Sequence, residues 1–255
     1  MAHPLRLRQV CLAAPRLEPV VDDLQAILGL QVCHRDPGLI AYGLENALLP
    51  VGNDFIEVVA PVQDDTAAGR FIRRTRGHGG YMAIFQMLDA DGPQAGQARA
   101  AALGVRTAHQ IDRPAYQSVQ LHPRDCRAAF IELGHSPGGD DHASGTWWPA
   151  GPHWQAGVRT DVTRRLLGIA LESPEPAALV AHWARILALP EAGPVLDVGA
   201  SVISAEPGPA DALAAVVLDV ADIGAVLDRA VDRGHRVQDN SFHLAGVHVR
   251  LQHAH

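Results

Sequence analysis

Residues 121–134, LHPRDCRAAFIELG, combine a polar turn with a strand that carries a single carboxylate among apolar neighbours. In the strand Phe130-Ile131-Glu132-Leu133 the apolar residues do not alternate with polar ones, which is typical of a strand buried on both faces. Glu132 is therefore predicted to point into the interior. A buried carboxylate is unfavourable unless a cation, a hydrogen-bond donor or water meets it, so this acid marks a candidate site.

The chain contains a second strand of the same design. Phe55-Ile56-Glu57-Val58 follows the polar turn Gly52-Asn53-Asp54, and its acid lies 75 residues before Glu132. Two such strands, each closing a block of about this length, indicate an internal repeat.

Both blocks are predicted to share the order strand, helix and then three strands. The first helix, Leu17–Leu30, has its apolar residues at the spacing of one helical face and ends near Gly29. The second helix, from about Pro93 to Leu103, ends at Gly104. In the first block the strand candidates are 5–14, the short segments 31–34, 39–44 and 47–51, and the closing Glu57 strand, which is one candidate more than this order needs. In the second block they are 81–88, 105–111, 118–121 and the Glu132 strand.

The segment after the repeat changes character, because it is rich in glycine, proline and tryptophan. Its composition predicts a linker, but tryptophans imply that it packs on something. Trp147, Trp148 and Trp154 either cover the outside of the core or include one that closes a pocket. The pattern of strands and helices then returns, with helices predicted at 174–189 and 223–233. The expected domains are 1–136, a linker at 137–163, and 164–255.

The composition describes a soluble globular protein of 255 residues, with 47% hydrophobic and 19% charged residues and a net charge of −7. This acidic balance argues against binding to nucleic acid or to an anionic membrane, because no basic stripe is present. No run of about 18 uncharged apolar residues occurs, so no membrane span is expected. Three widely spaced cysteines and the lack of a signal-peptide pattern favour the reduced cytoplasm.

A repeated strand-helix-three-strand block whose last strand carries an inward glutamate resembles the vicinal oxygen chelate superfamily, which includes glyoxalases, bleomycin-resistance proteins and extradiol dioxygenases. The turn Leu121-His122-Pro123-Arg124-Asp125, followed by the Glu132 strand, is similar to the closing motif of the methylmalonyl-CoA epimerase family. Two glycines of that motif are replaced here by Arg127 and Ala128. The resemblance implies an α+β fold in which repeated βαβββ modules form open mixed-sheet barrels.

The resemblance also implies a set of metal ligands on the first and last strands of the two modules. Carried over by position, these are Gln9, Glu57, Tyr81 and Glu132, with a tyrosine where the superfamily usually has a histidine. Two carboxylates and an amide oxygen are hard donors, which favour Mg²⁺ or Mn²⁺ over Zn²⁺. The expected cofactor is a divalent metal (Mg, Mn, Zn or Ni). The catalytic candidates are the carboxylates of Glu45, Glu57 and Glu132.

Two functions of different classes are expected from these residues. The first is a metal-dependent isomerase, epimerase or lyase that acts on a small oxygen-rich metabolite, and the buried acids favour it. The second is a metal-free protein of the bleomycin-resistance kind that binds a small-molecule ligand, and Tyr81 favours it. In the second half Gly168 and Arg250 stand where ligands would be. That half is expected to complete the fold, close the first barrel or form a homodimer surface.

Overall fold

The computed structural model describes residues 4–139, 142–190 and 193–253. Within these ranges the chain forms two β-sheets of seven strands each, with helices between the strands. The first sheet consists of β1 (Leu5–Ala13), β2 (Leu44–Val51), β3 (Asp54–Pro61), β4 (Met82–Met87), β5 (Thr107–Arg113), β6 (Tyr116–Leu121) and β7 (Phe130–His135). The second consists of β8 (Thr163–Ser173), β9 (Val195–Asp197), β10 (Val202–Pro207), β11 (Ala212–Val220), β12 (Val237–Gln238), β13 (Ser241–Leu244) and β14 (Val247–Gln252).

The strand order is β2-β3-β1-β4-β7-β6-β5 in the first sheet and β12-β13-β14-β11-β8-β10-β9 in the second. Both sheets are mixed, because parallel pairs (β4 with β7, β8 with β10) occur beside antiparallel pairs (β6 with β7, β13 with β14). Neither sheet closes on itself. The arrangement confirms the predicted α+β fold of repeated modules in open mixed sheets.

The chain divides into two compact units, each composed of three segments. The first unit is Met1–Gln9, Met82–Trp148 and Gly168–Leu213, and the second unit is Val10–Tyr81, Pro149–Leu167 and Ala214–His255. The domain boundaries expected from the sequence, after residues 136 and 163, stay a prediction.

Within the described residues, four of the six α-helices lie close to the ranges predicted for them. The helix α1 (Leu17–Leu28) buries one face of apolar side chains and ends at Gly29, which adopts the left-handed conformation with φ 67°. None of the helices in the described residues is long and apolar enough to cross a membrane. The others are α2 (Ala67–Thr75), α3 (Gly92–Ala102), α4 (Pro123–Cys126), α5 (Pro176–Leu187) and α6 (Ile223–Asp232).

The strand predicted at residues 39–44 is wrong, because Pro37–Tyr42 forms a 3₁₀ helix. The Asp36 side chain accepts a hydrogen bond from the backbone N–H of Gly38 at 2.8 Å, and Pro37 stands in the first turn, where its missing N–H does no harm. Two of the apolar residues that suggested a strand are exposed, Ile40 to 63% and Tyr42 to 51%. In the segment predicted as a strand at 31–34, His34 forms a single antiparallel bridge with Leu48.

The helix α3 packs on β7 at very close range, and this contact sets the direction in which Glu132 points. A Cβ on Gly96 of α3 would collide with a terminal methyl group of Leu133, so a larger residue there would displace the leucine side chain. Leu133 therefore faces the helix. Successive side chains on a strand point to opposite faces, so Glu132 faces away from α3.

The turn before β7 has the structure that its residues predict. His122 precedes α4, and its Nδ1 accepts a hydrogen bond from the backbone N–H of Arg124 at 3.3 Å. Pro123 occupies the first helical position, where proline is favoured. The turn returns the chain antiparallel to β6, so that Gln120 lies directly opposite Glu132.

Candidate functional site

Glu132 is a buried carboxylate held by two neutral donors. It is 5% exposed, and the Tyr116 hydroxyl donates to its Oε1 at 2.6 Å while Gln120 Nε2 donates to its Oε2 at 2.8 Å. No described residue forms a salt bridge with it. The predicted need of a buried acid for donors is therefore met by side chains of the neighbouring strand β6.

The register of β6 and β7 places a row of polar side chains on the face of Glu132. Gln120 pairs with Glu132 and Ser118 pairs with Gly134, so Tyr116, Ser118 and Gln120 share that face by alternation. The intervening Val119 shares the opposite face with Leu133. One face of this hairpin packs on a helix, and the other carries the polar groups.

Gly134 leaves space for the tyrosine that binds Glu132. A Cβ on Gly134 would collide with the Tyr116 hydroxyl oxygen. The close approach of the phenol to the backbone of β7 therefore requires glycine at this position.

Gln9 lies on β1 and belongs to the first unit. Its side chain is not accessible to a ligand. It is 2% exposed, and its Oε1 accepts a hydrogen bond from the indole N–H of Trp147 at 2.8 Å. The Trp147 ring meets the Tyr116 ring edge-on, with centroids 5.6 Å apart. Gln9 and Glu132 are thus linked within the first unit through Trp147 and Tyr116.

Trp147 belongs to a segment, residues 142–148, which we call the tryptophan strap. Buried Arg8 donates to its backbone carbonyls, at 2.5 Å to Ala143 and 3.2 Å to Gly145. Trp148 stacks on Tyr116 with centroids 5.5 Å apart and an interplanar angle of 15°. The strap therefore lies against the partner of Glu132. Trp154, the third tryptophan of the predicted linker, lies in the second unit and packs edge-on against Phe55.

Glu57 lies in the second unit, on β3, and is 8% exposed. Its Oε1 accepts a hydrogen bond from Asn46 Nδ2 at 2.7 Å, and Asn46 Oδ1 accepts one from the backbone N–H of Asp36 at 2.8 Å. Glu45, the other catalytic candidate of this block, is exposed on β2 and by alternation faces away from Asn46. The proposed proton-transfer roles of Glu57 and Glu45 stay predictions.

Tyr81 immediately precedes β4 and is buried in the second unit. Its ring meets the Phe71 ring edge-on at 5.1 Å, and it is 5% exposed. Burial is the largest cause of a pKa of the Tyr81 phenol far above its usual range. The neighbouring Cys11 and Glu57 raise this pKa further through their charges. The side chain is therefore a neutral phenol at physiological pH, which is a weak metal ligand.

The four predicted metal ligands are divided between the two units. Gln9 and Glu132 belong to the first unit, and Glu57 and Tyr81 to the second. Each of the three oxygen donors already accepts a hydrogen bond from a neighbouring side chain. Among the described residues no group of three or more His, Cys, Asp or Glu side chains could hold a metal ion. The set as a whole stays a prediction.

Sequence reasoning did not identify Tyr116, Gln120 or Ser118 as site residues. Their signal is the alternation of polar and apolar side chains in the strand beside Glu132, which becomes informative only with the hairpin register. The role of Trp147 has no local signal, because the residue that it contacts, Gln9, lies 138 positions away.

Comparison with known proteins supports the fold more strongly than any single activity. A mutant of 4-hydroxymandelate synthase from Streptomyces coelicolor has 14% identity, covers 92% of this chain and 76% of that chain, and gives a TM-score of 0.66. A variant of methylmalonyl-CoA epimerase from the same organism, in complex with 2-nitronate-propionyl-CoA, has 24% identity over 52% of this chain and 97% of that chain, with a TM-score of 0.45. The epimerase from Mycobacterium tuberculosis has 23% identity over 53% and 91%, with a TM-score of 0.45.

A search of curated proteins found no match. The family described as "Glyoxalase-like domain" has a model that matches residues 10–187, which is more than half of the chain. Together with the fold shared with 4-hydroxymandelate synthase, this match confirms the resemblance to the vicinal oxygen chelate superfamily. The chain belongs to the glyoxalase-like domain family.

Proposed function

We propose that this glyoxalase-like protein is an enzyme of the isomerase or epimerase type, which moves a proton at a carbon next to a carbonyl group of a small oxygen-rich metabolite. The observation that carries the proposal is Glu132, a buried carboxylate held by Tyr116 and Gln120 without a charged partner among the described residues. An acid kept in such surroundings contributes little to stability, and it is the kind of group that active sites retain.

The chemistry follows from the acceptor character of the carboxylate. Glu132 takes the proton from the carbon, the electron pair of the C–H bond forms a carbon-carbon double bond, and the carbonyl π electrons move to oxygen to give an enolate. Return of the proton from Glu132 to a neighbouring atom isomerises the molecule, whereas inversion of the carbon also requires a second acid that delivers a proton to the opposite face. Tyr116 and Gln120 hold the carboxylate in one orientation throughout.

A ligand must gain access to Glu132, because only 5% of this residue is exposed. The tryptophan strap contacts Tyr116 through both Trp147 and Trp148. We therefore expect the strap to move when a ligand enters and to exclude water once it returns.

A second candidate function is metal-free binding of a small molecule without turnover. Tyr81 favours it, because this buried side chain stands where the superfamily usually has a histidine ligand, and a neutral phenol binds a metal ion more weakly. Lyase chemistry and a divalent metal, with all four predicted ligands, stay predictions.

The proposed function is tested by proton exchange in D₂O, followed by ¹H NMR. The probes are pyruvate, 2-oxobutyrate and methylmalonyl-CoA, each of which carries an acidic C–H next to a carbonyl. We expect the protein to exchange that hydrogen in at least one probe, and Glu132→Gln to lower the rate by about 10²–10⁴-fold, which is the usual contribution of a general base.

The matched control is Glu18→Gln, since the Glu18 side chain is 61% exposed on α1. This variant should exchange at the wild-type rate, and Glu45→Gln and Glu57→Gln test the other predicted acids. An unchanged rate in Glu132→Gln would remove this residue from the proposed role. No exchange of any probe, combined with a ligand-induced rise in melting temperature, would favour the binding protein instead.

A further inference from the structure

We propose that the Ser118 hydroxyl is a binding group for the substrate, which receives the carbonyl oxygen of the molecule whose C–H faces Glu132. The inference rests on the proposed function and deepens it. Ser118 is 2% exposed, and its Oγ has no hydrogen-bond partner among the described residues. It is therefore a buried polar group whose capacity for hydrogen bonding is unused.

A buried hydroxyl without a partner is unusual, because nearly all buried polar side chains in native proteins are hydrogen-bonded. The residues directly opposite Ser118 are Ile111 on β5 and Gly134 on β7, and neither side chain can accept or donate a hydrogen bond. Alanine would fit in the same space, and folding would not then remove a hydroxyl group from water without giving it a new partner. The serine thus makes the folded protein less stable than alanine would unless something binds to the hydroxyl.

The position of Ser118 on the sheet points to what binds there. It stands between Tyr116 and Gln120 on the face that carries Glu132. Glu132 is its diagonal neighbour across the strands, and residues so placed are typically about 7–8 Å apart, with their Cβ atoms somewhat closer. A carbonyl group bound over this face would meet the Ser118 hydroxyl with its oxygen and would present its neighbouring carbon to the carboxylate.

The roles of the two groups are complementary. The carboxylate of Glu132 is an acceptor for the proton, whereas the Ser118 O–H is a donor for the carbonyl oxygen on which negative charge develops. A fixed donor of this kind would serve a 2-oxo acid or a thioester equally well, because both present a carbonyl group bonded directly to the acidic carbon. The substrate class is thus defined by an enolisable carbonyl.

The test compares Ser118→Ala with Ser173→Ala, which replaces a second buried serine of the first unit. Unlike Ser118, Ser173 is fully paired, since its Oγ donates to Asp211 at 2.6 Å and accepts from the Glu175 backbone N–H at 2.9 Å. Without ligand, we expect Ser173→Ala to lower the melting temperature by at least about 2 °C and Ser118→Ala to leave it unchanged or raise it.

With the probe that the wild type exchanges in D₂O, we expect Ser118→Ala to lower kcat/KM for exchange by about 10²-fold, as for loss of a donor to a developing oxyanion. A destabilisation of Ser118→Ala equal to that of Ser173→Ala would show that the hydroxyl is structural and would overturn the inference. If Ser118→Ala exchanges at the wild-type rate while Glu132→Gln loses exchange, the inference is overturned and the proposed function stays intact.

A ligand that binds without being turned over would leave the Ser118 inference intact and overturn the proposed function. If pyruvate raises the melting temperature of the wild type but not of Ser118→Ala, and no probe exchanges, then the Ser118 contact stands and the proposed enzyme falls. If no probe either exchanges or raises the melting temperature of the wild type, then both are overturned for enolisable carbonyl compounds.

Discussion

At the level of single residues, one buried carboxylate of the first unit is at the centre of a connected set of contacts. Glu132 accepts from Tyr116 and Gln120, and Tyr116 in turn contacts both tryptophans of the strap. Gly134 is required beneath the phenol. The acid, its donors and their aromatic cover therefore form one connected set, in which each member constrains the next.

Tyr116→Phe removes one donor from Glu132 and leaves the rest of the ring in place. We expect it to destabilise the protein by about 1–3 kcal/mol, because a buried carboxylate oxygen loses its partner. Urea denaturation of Tyr116→Phe, Glu132→Gln and the double variant measures the coupling between the two residues. A coupling energy near zero would contradict the hydrogen bond as a stabilising contact.

Another residue-level prediction concerns pH. The Arg106 guanidinium, which donates to Asp125 at 2.7 and 2.9 Å, lowers the pKa of that carboxyl from 3.8 to about 2. Because the folded-state pKa lies below the unfolded one, the stability that the pair contributes is present above about pH 4 and is lost as the pH falls through 3.8 towards 2. The contribution is small, since the Arg106 side chain is 63% exposed.

Asp125→Asn should therefore lower the melting temperature by no more than about 2 °C at pH 7. The difference from the wild type should shrink as the pH falls below about 4. Thermal melts across this range measure it, and a difference that is the same at pH 3 as at pH 7 would contradict the assignment.

At the level of elements, the turn between α4 and β7 shows how the chain has replaced a glycine. Arg127, which stands in place of a glycine of the epimerase motif, has a φ of 78°. Its guanidinium donates to both carboxylate oxygens of Asp211, at 2.7 and 3.0 Å, and to Ser173 Oγ at 3.2 Å. Burial by itself would raise the pKa of Asp211, but the hydrogen bonds from Arg127 and Ser173 and the charge of Arg127 lower it overall. These contacts compensate for the strained backbone.

Two substitutions separate the side-chain contact from the backbone strain. Arg127→Ala and Arg127→Gly both lose the contact with Asp211, and we expect each to destabilise the protein by about 1–3 kcal/mol. The glycine variant should be more stable than the alanine variant by about 1 kcal/mol, because only glycine adopts a positive φ freely. Urea denaturation of both variants measures this, and equal stabilities would show that the turn is not strained.

In the second half of the chain, the close pairing of two strands requires a glycine. Gly168, which corresponds in the repeat to Gln9, pairs with Val202 across β8 and β10, and a Cβ there would collide with the Val202 carbonyl oxygen. The tight pairing of the two strands leaves no room for a side chain. An equivalent of Gln9 therefore cannot stand at this position.

At the level of the whole molecule, the proposed proton transfer and the predicted metal chemistry differ in their dependence on a divalent ion. The oxygen donors of the predicted set are hydrogen-bonded to side chains of the protein. We therefore expect proton exchange to survive dialysis against EDTA with less than a twofold change in rate. The measurement is exchange in D₂O before and after dialysis, with elemental analysis of untagged protein.

The opposite result would establish the predicted metal set. It requires loss of exchange after dialysis, recovery with Mg²⁺ or Mn²⁺, and about one equivalent of metal that disappears in both Glu57→Gln and Glu132→Gln. A homodimer stays a separate prediction, which sedimentation velocity tests.

The sequence by itself determined the features that depend on near neighbours. The apolar spacing of α1, the cap of α4 by His122 and the single acid in each closing strand all follow from residues within a few positions of one another. The repeat of these local patterns was enough to predict the fold, which the structure confirms. The local signal failed at residues 39–44, where the Asp36 cap and Pro37 produce a 3₁₀ helix and the side chains of Ile40 and Tyr42 stay exposed.

Only the tertiary structure decided which partners the candidate residues have. The register of one hairpin brings Tyr116 and Gln120 to Glu132 and leaves Ser118 without a partner among the described residues, and a shift of one residue would turn all of them to the other face. The contact of Trp147 with Gln9 joins positions 138 residues apart. Such pairings depend on the packing of the entire unit, because hydrogen bonds between distant residues form only where the folded backbone brings donor and acceptor together.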